Sequence, residues 1–199
     1  TDKISVFVAE CKRMGLGILA PDVNRSSLKF APEWAAGDST EASAKAIRFG
    51  LAAIKNVGGA AMAAAIESRE ANGSFESLED FATRLDTKTV NRKIMESLIK
   101  AGAFDFTMVW RDAMFSRLGQ VLAASSAAQK DRVSGQESLF DMAEVASSAP
   151  SPSIDGEETV KWSLEEMLHH EKDLLGFYVT GHPLDPYREE LAALVGNDL

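Results

Sequence analysis

The stretch "GLAAIKNVGGAAMAAAIESR", residues 50–69, decides how this chain is read. An apolar helical run leads into the tight turn Asn56-Val57-Gly58, and a helix of small residues follows at once. Such a turn needs positive backbone dihedrals, which Gly supplies freely and Asn tolerates. Val57 is expected to point inward and pin the turn. The helix after it carries Met62, Ala65 and Ile66 at helical spacing, and its alanines favour helix. Its first N–H groups have no partner within the helix, so they aim outward from the hairpin.

Two helices joined in this way make a helix-hairpin-helix motif. Its chemistry is phosphate binding, in which backbone amides and the helix dipole cradle one phosphate without reading a base. Asn56 stands where the usual hairpin has Gly and brings a side chain close to the phosphate position, though Asn can adopt the left-handed conformation and donate a hydrogen bond. Lys45, Arg48 and Lys55 around the turn favour DNA, and Arg92, Lys93 and Lys100 offer a second backbone contact through a later helical unit. The alternatives are a plain αα-corner without a ligand and an ordinary solvated basic face.

Further helices flank the hairpin. Ile4, Phe7, Val8, Cys11 and Met14 have amphipathic spacing, with Cys11 expected to be buried, and Gly15 and Gly17 end that helix. Residues 26–34 suggest a short extended piece, and a strand is possible over 35–51. Ser74 looks like a cap, and Ser77 with Asp80 gives a second start for a helix with Leu78, Phe81 and Leu85 on its apolar face. Ile94, Leu98 and Ile99 define another, with Gly102 as its terminator. Residues 110–130 read as one longer helix, and a last amphipathic helix runs through Leu164, Met167, Leu168 and Leu175 before a turn and a short final helix. The fold class expected is mainly α, with little or no β.

Charge is unevenly spread. The net value of −9 divides into −1 for residues 1–43, +3 for 44–132 and −11 for 133–199, so a nucleic-acid contact belongs in the middle. Residues 131–160 are rich in Ser, Ala, Gly, Pro and acids and read as a linker. Within it "SGQESLFDM", residues 134–142, places Leu139 and Phe140 side by side where no core can form, with Gln136 three residues before the leucine. The single cysteine, Cys11, excludes an intrachain disulfide and fits a cytoplasmic protein. No run is long enough to span a membrane. The first residues lack a signal-peptide pattern and begin without Met, as if in mid-helix, so the chain reads as an excised piece of something longer.

Catalytic and metal signatures are sparse. His169 and His170 are adjacent and diverge by about 100° on a helix, which disfavours joint chelation. His182 reads as a turn residue, and Glu157-Glu158 and Glu165-Glu166 as acidic surface. No Walker loop or dinucleotide fingerprint occurs. A helix-hairpin-helix repair glycosylase would need a catalytic Asp or Lys after the hairpin, inside a base-sized pocket, and Glu76, Glu79 and Asp80 look like an ordinary capped helix instead. A non-enzymatic scaffold is the remaining rival.

Five collinear stretches carry a wider resemblance: "ECKRMGLGILAPDVNRS", "IRFGLAAIKNVGGAAMAAAIESR", "GSFESLEDFATRLDTKTVNRKIMESLIKAGAFD", "GQESLF" and "EKDLLGFYVTGHPLDPY". Together they resemble the alpha subunits of bacterial DNA polymerase III, the C-family replicative polymerases. The resemblance implies a division into the end of a fingers domain (1–43), a tandem helix-hairpin-helix domain gripping duplex DNA (44–130), a flexible linker (131–160) and helices leading towards a following domain (161–199). It implies phosphate contacts at Lys55, Asn56, Val57, Gly58 and Gly59. A second, degenerate element over Asn91 to Gly102 would add Arg92 and Lys93. It also implies that Gln136, Leu139 and Phe140 form an internal motif for the beta sliding clamp, with further replicase subunits reached through the full-length chain. The catalytic aspartates and the magnesium of such a polymerase lie upstream in the family, so no cofactor is expected here and this stretch alone should be inactive.

Overall fold

The computed structural model describes residues 2–34, 45–134, 161–188 and 190. The element order is α1 (Asp2–Arg13), β1 (Gly17–Leu19), β2 (Ala31–Trp34), β3 (Lys45–Arg48), α2 (Gly59–Asn72), α3 (Leu78–Arg84), α4 (Arg92–Lys100), α5 (Arg111–Ser134) and α6 (Leu164–Leu175). Short 3₁₀ turns lie at Leu51–Ala53, Asp105–Thr107 and Asp185–Tyr187. The protein is mainly α, as its composition of helical periods predicts.

The small sheet has the order β1-β3-β2. β1 and β3 run parallel with Ile18 opposite Ile47, and β2 runs antiparallel to β3 with Pro32 opposite Ile47. Arg48 forks onto Glu33 of β2 at 2.6 and 2.8 Å and reaches the Ala20 carbonyl at 2.8 Å. Arg25 also pairs with Glu33. The Arg48 hydrogen bond, then burial opposed by the charges of Arg48 and Arg25, leaves the Glu33 carboxyl below its usual range. Arg48 is therefore fold cement and is not free for DNA. The sheet joins residues on both sides of position 43.

The core runs from the sheet through the helices. Phe49, Leu51, Ile54, Met62, Met95 and Leu98 are among its fully buried members. Phe75, Phe81 and Phe104 stack edge-on in sequence, with centroids 4.7 and 5.1 Å apart. Burying each such side chain contributes roughly 1.5–3 kcal/mol. The loop after β1 is sewn to this core by Asn24, whose amide donates to the Phe75 carbonyl at 2.9 Å and accepts from the Phe75 N–H at 2.7 Å.

Caps explain where the helices begin. Ser77, not Ser74, caps α3 by accepting from the Asp80 N–H. Asn91 caps α4, accepting from the Ile94 N–H at 3.1 Å. Ser163 and Glu166 form a reciprocal capping box on α6. Cys11 differs from its expectation: it is only partly buried. Of the other residues expected on that face, Val8 is buried against β1 and the segment around Phe177, while Phe7 and Met14 are exposed.

Helix α6 is fastened by a buried carboxylate. Glu171 has no exposed surface. It accepts from Arg111 at 3.0 Å, from the Val179 and Thr180 N–H groups at 2.8 and 2.9 Å, and from the Thr180 hydroxyl. Arg111 also forks onto Asp105 at 2.5 and 2.8 Å. Burial works against the Arg111 charge, but Asp105 and Glu171 outweigh it and hold the guanidinium above its ordinary value. Gly102 makes room for this network. It sits at φ +81°, and a Cβ there would come within 2.3 Å of the Arg111 guanidinium.

Candidate nucleic-acid interface

The hairpin is built from Leu51–Ala53, the turn, and α2. Its first arm is a single 3₁₀ turn rather than the full helix that the apolar run suggests. Leu51 and Ile54 bury themselves as its anchors, and Val57 is buried beneath the turn as expected. Asn56 takes the left-handed position at φ 67°. Gly58, by contrast, has φ −77° and needs no left-handed freedom. A Cβ added at Gly58 would meet nothing within 4 Å, and one at Gly59 would touch only Ala52 at 4.0 Å. These glycines thus leave open space in front of the α2 N-terminus rather than relieving internal crowding.

That N-terminus is open. No side chain caps α2 at Gly58, and the first helical N–H bond is Met62 to the Gly58 carbonyl. Gly58, Gly59 and Ala60 are exposed. The 14 residues of α2 align their peptide dipoles towards this end. The arrangement can accept one phosphate through backbone amides alone.

The second element is arranged differently. The α3–α4 turn satisfies its own donors: the Asp86 carboxylate accepts from the Lys88 N–H at 2.9 Å, and Asn91 caps α4. Gln129 of α5 braces the turn through the Leu85 carbonyl at 2.7 Å. Arg92 lies on the surface and pairs with Glu96 at 2.8 Å.

Lys93 instead turns towards the first hairpin. A cleft of about 220 Å³ is lined by Lys55 and Asn56 of the turn, by Lys93, Ser97 and Lys100 of α4, and by His170 of α6, among others. So the structure brings Lys55, Asn56 and Lys93 together, sets Gly58 and Gly59 at the neighbouring helix end, and leaves Arg92 outside. Among the described residues Lys55, Lys93 and Lys100 make no ion pair. The Lys100 ammonium stands over the Phe115 ring at 4.8 Å. Sequence reasoning weighed His170 only beside His169 as a metal pair and did not place it in this cleft. Its only local signal was its position three residues before Asp173 on an amphipathic helix, and its place in the cleft depends on how α6 docks.

Gln136, Leu139 and Phe140 lie outside the described residues, as does most of the stretch read as a linker. Among the described residues no three His, Cys, Asp or Glu side chains converge to hold a metal ion. No helix among them is long and apolar enough to cross a membrane.

Comparison with known proteins agrees with this geometry. The family described as helix-hairpin-helix motif matches residues 15–114. Among curated relatives, the DNA polymerase III subunit alpha of Borreliella burgdorferi is 39% identical over 191 residues, covering 96% of this chain and 16% of that protein. The DNA polymerase III subunit alpha of Xylella fastidiosa (strain Temecula1) is 37% identical over 199 residues, covering 100% of this chain and 16% of the relative. That of Escherichia coli K12 is 36% identical over 196 residues, covering 98% and 16%. The chain therefore spans about 16% of the length of these curated relatives.

Proposed function

The chain belongs to the helix-hairpin-helix family, and from that premise we propose that it is the DNA-gripping and clamp-tethering part of a bacterial replicative DNA polymerase. The observation that carries the DNA half is the open, uncapped N-terminus of α2 behind a left-handed Asn56, with Lys55 and Lys93 beside it. Duplex DNA is held by its phosphates, through the amides at Gly58 and Gly59 and through Lys55, Asn56, Arg92 and Lys93. Val57 holds the turn from below. The grip is sequence-independent, because nothing in this arrangement reaches a base edge.

The clamp half rests on the sequence. Gln136, Leu139 and Phe140 form a short peptide that docks on the beta sliding clamp, Leu and Phe filling an apolar pocket and Gln bonding at its rim. A weak peptide contact gains strength when the same chain also holds DNA, since the second contact then forms at a high effective concentration. The segment thereby supports processive synthesis by a cytoplasmic DNA-directed DNA polymerase whose catalytic carboxylates lie elsewhere, and it meets other replicase subunits through the rest of that enzyme. The test is a titration of the sliding clamp with and without duplex DNA. Tighter clamp binding in the presence of duplex supports the reading, and no response to either partner removes it.

A further inference from the structure

The cleft below the hairpin is distinct from the α2 N-terminus, and the amide cradle does not explain it. Four elements of its chemistry converge from separate parts of the chain: Lys55 from the turn, Lys93 and Lys100 from α4, and His170 from α6. Two carboxylates also line it: Glu96, which pairs with Arg92 at 2.8 Å, and Asp173, which lies 3.3 Å from the His169 imidazole, an ion pair only when that ring is protonated. Three lysines thus share a small concave space with two carboxylates, an excess of positive charge.

His170 is placed to respond to that space. Its ring meets Trp162 edge-on at 4.7 Å, and Trp162 rests on Phe115 at 5.4 Å. The imidazole is thus braced from behind by aromatic rings and faces the lysines in front. We propose that this cleft is a second phosphate-binding site, and that His170 is its titrating member, adding a positive charge when a phosphate enters. The proposal rests on the duplex-binding reading above and deepens it.

The charged groups around His170 fit this role. Lys100 and Lys93 of α4 and Lys55 of the turn share the cleft with it, and Glu96 of α4 lines the same space. On α6 itself His169, Asp173 and Glu166 lie nearby, and Asp112 of α5 holds the Trp162 N–H at 3.3 Å. Burial first, then the charges of Lys100 and His169, hold His170 below the usual imidazole value, with Asp173 and Glu166 opposing. An empty cleft therefore disfavours the charged ring. A bound phosphate adds negative charge beside the ring, so binding draws a proton onto it.

The experiment is a duplex titration of the full chain at pH 8 and pH 5.5 over a salt series, followed by anisotropy of a labelled blunt duplex. The wild-type plot of log affinity against log salt is expected to steepen by about 0.9 at pH 5.5, the signature of one added phosphate contact. His170→Gln should abolish that steepening while leaving the pH 8 slope unchanged. Equal pH dependence in the two proteins overturns the proposal. Nuclear magnetic resonance of the His170 ring in the wild-type chain gives a second reading that needs no variant: its titration must move upward on saturation with duplex, and an unmoved titration overturns the site. Binding at both pH values without these changes leaves duplex gripping intact and removes only the His170 site. An absence of duplex binding at low salt removes both.

Discussion

The backbone N–H of Lys55 donates to the Leu174 carbonyl at 3.0 Å. Leu174 belongs to the last turn of α6, where carbonyls lack helical partners. The hairpin turn supplies one of those partners. The turn that presents the candidate phosphate site is therefore positioned by a helix more than a hundred residues away, and that helix is held in turn by Glu171 on Arg111.

Removing that anchor should be costly. Glu171→Ala leaves Arg111 with Asp105 as its one carboxylate partner among the described residues, and leaves the Val179 and Thr180 N–H groups without their acceptor. A loss of about 3 kcal/mol or more is expected, read as a shift in the urea midpoint. Gly102→Ala should act on the same network from the other side, since its methyl group collides with the Arg111 guanidinium.

Gly58→Ala separates folding from binding. The added methyl meets no atom of the protein, so the stability cost should stay under about 1 kcal/mol, the difference between two uncharged caps. The same methyl projects into the space before the α2 amides, and duplex affinity should drop severalfold. Unchanged affinity in an anisotropy titration would mean that no phosphate approaches this helix end.

The basic residues should not contribute equally. Lys55→Ala and Lys93→Ala should each weaken duplex binding and make its salt dependence shallower by about 0.9, one phosphate contact apiece. Arg92→Ala should have the smaller effect, because Arg92 already pairs with Glu96 and lies outside the cleft. The measurement is the slope over 50 to 200 mM salt, a range taken as about that over which multi-contact complexes weaken strongly.

The proposed clamp peptide can be tested by paired substitution. Leu139→Ala with Phe140→Ala removes side chains worth roughly 1.5–3 kcal/mol each on full burial, so sliding-clamp affinity should fall by about a hundredfold or more. Gln136→Ala should cost less, about tenfold or below, as the loss of one hydrogen bond. The thermal midpoint of the chain should not move.

Much of the helical layout was legible because its signals are local. The spacing of Leu78, Phe81 and Leu85 places a buried face, Ser77 with Asp80 marks a true cap, and Asn56 takes the left-handed turn position assigned to it. Other features depend on pairings that no short window contains. Arg48 looked like a DNA contact until β2 brought Glu33 against it. Ser74 carries a capping side chain, yet it is the Ser74 carbonyl, accepting from Arg84, that the fold uses. Cys11 has the right spacing for burial, but the side of α1 that carries it is incompletely covered. The lysine–histidine cleft needed three separate segments to dock before it existed at all.

The Lys55–Leu174 bond and the Glu171 cluster also define how the chain would bear mechanical load. A pull on the backbone beyond Thr180 is taken first by the Glu171 carboxylate and passed through Arg111 to Asp105. Tension arriving from the carboxyl-terminal side would thus meet the fully buried Glu171 carboxylate and its Arg111 partner before it reached the α6 end from which the hairpin hangs.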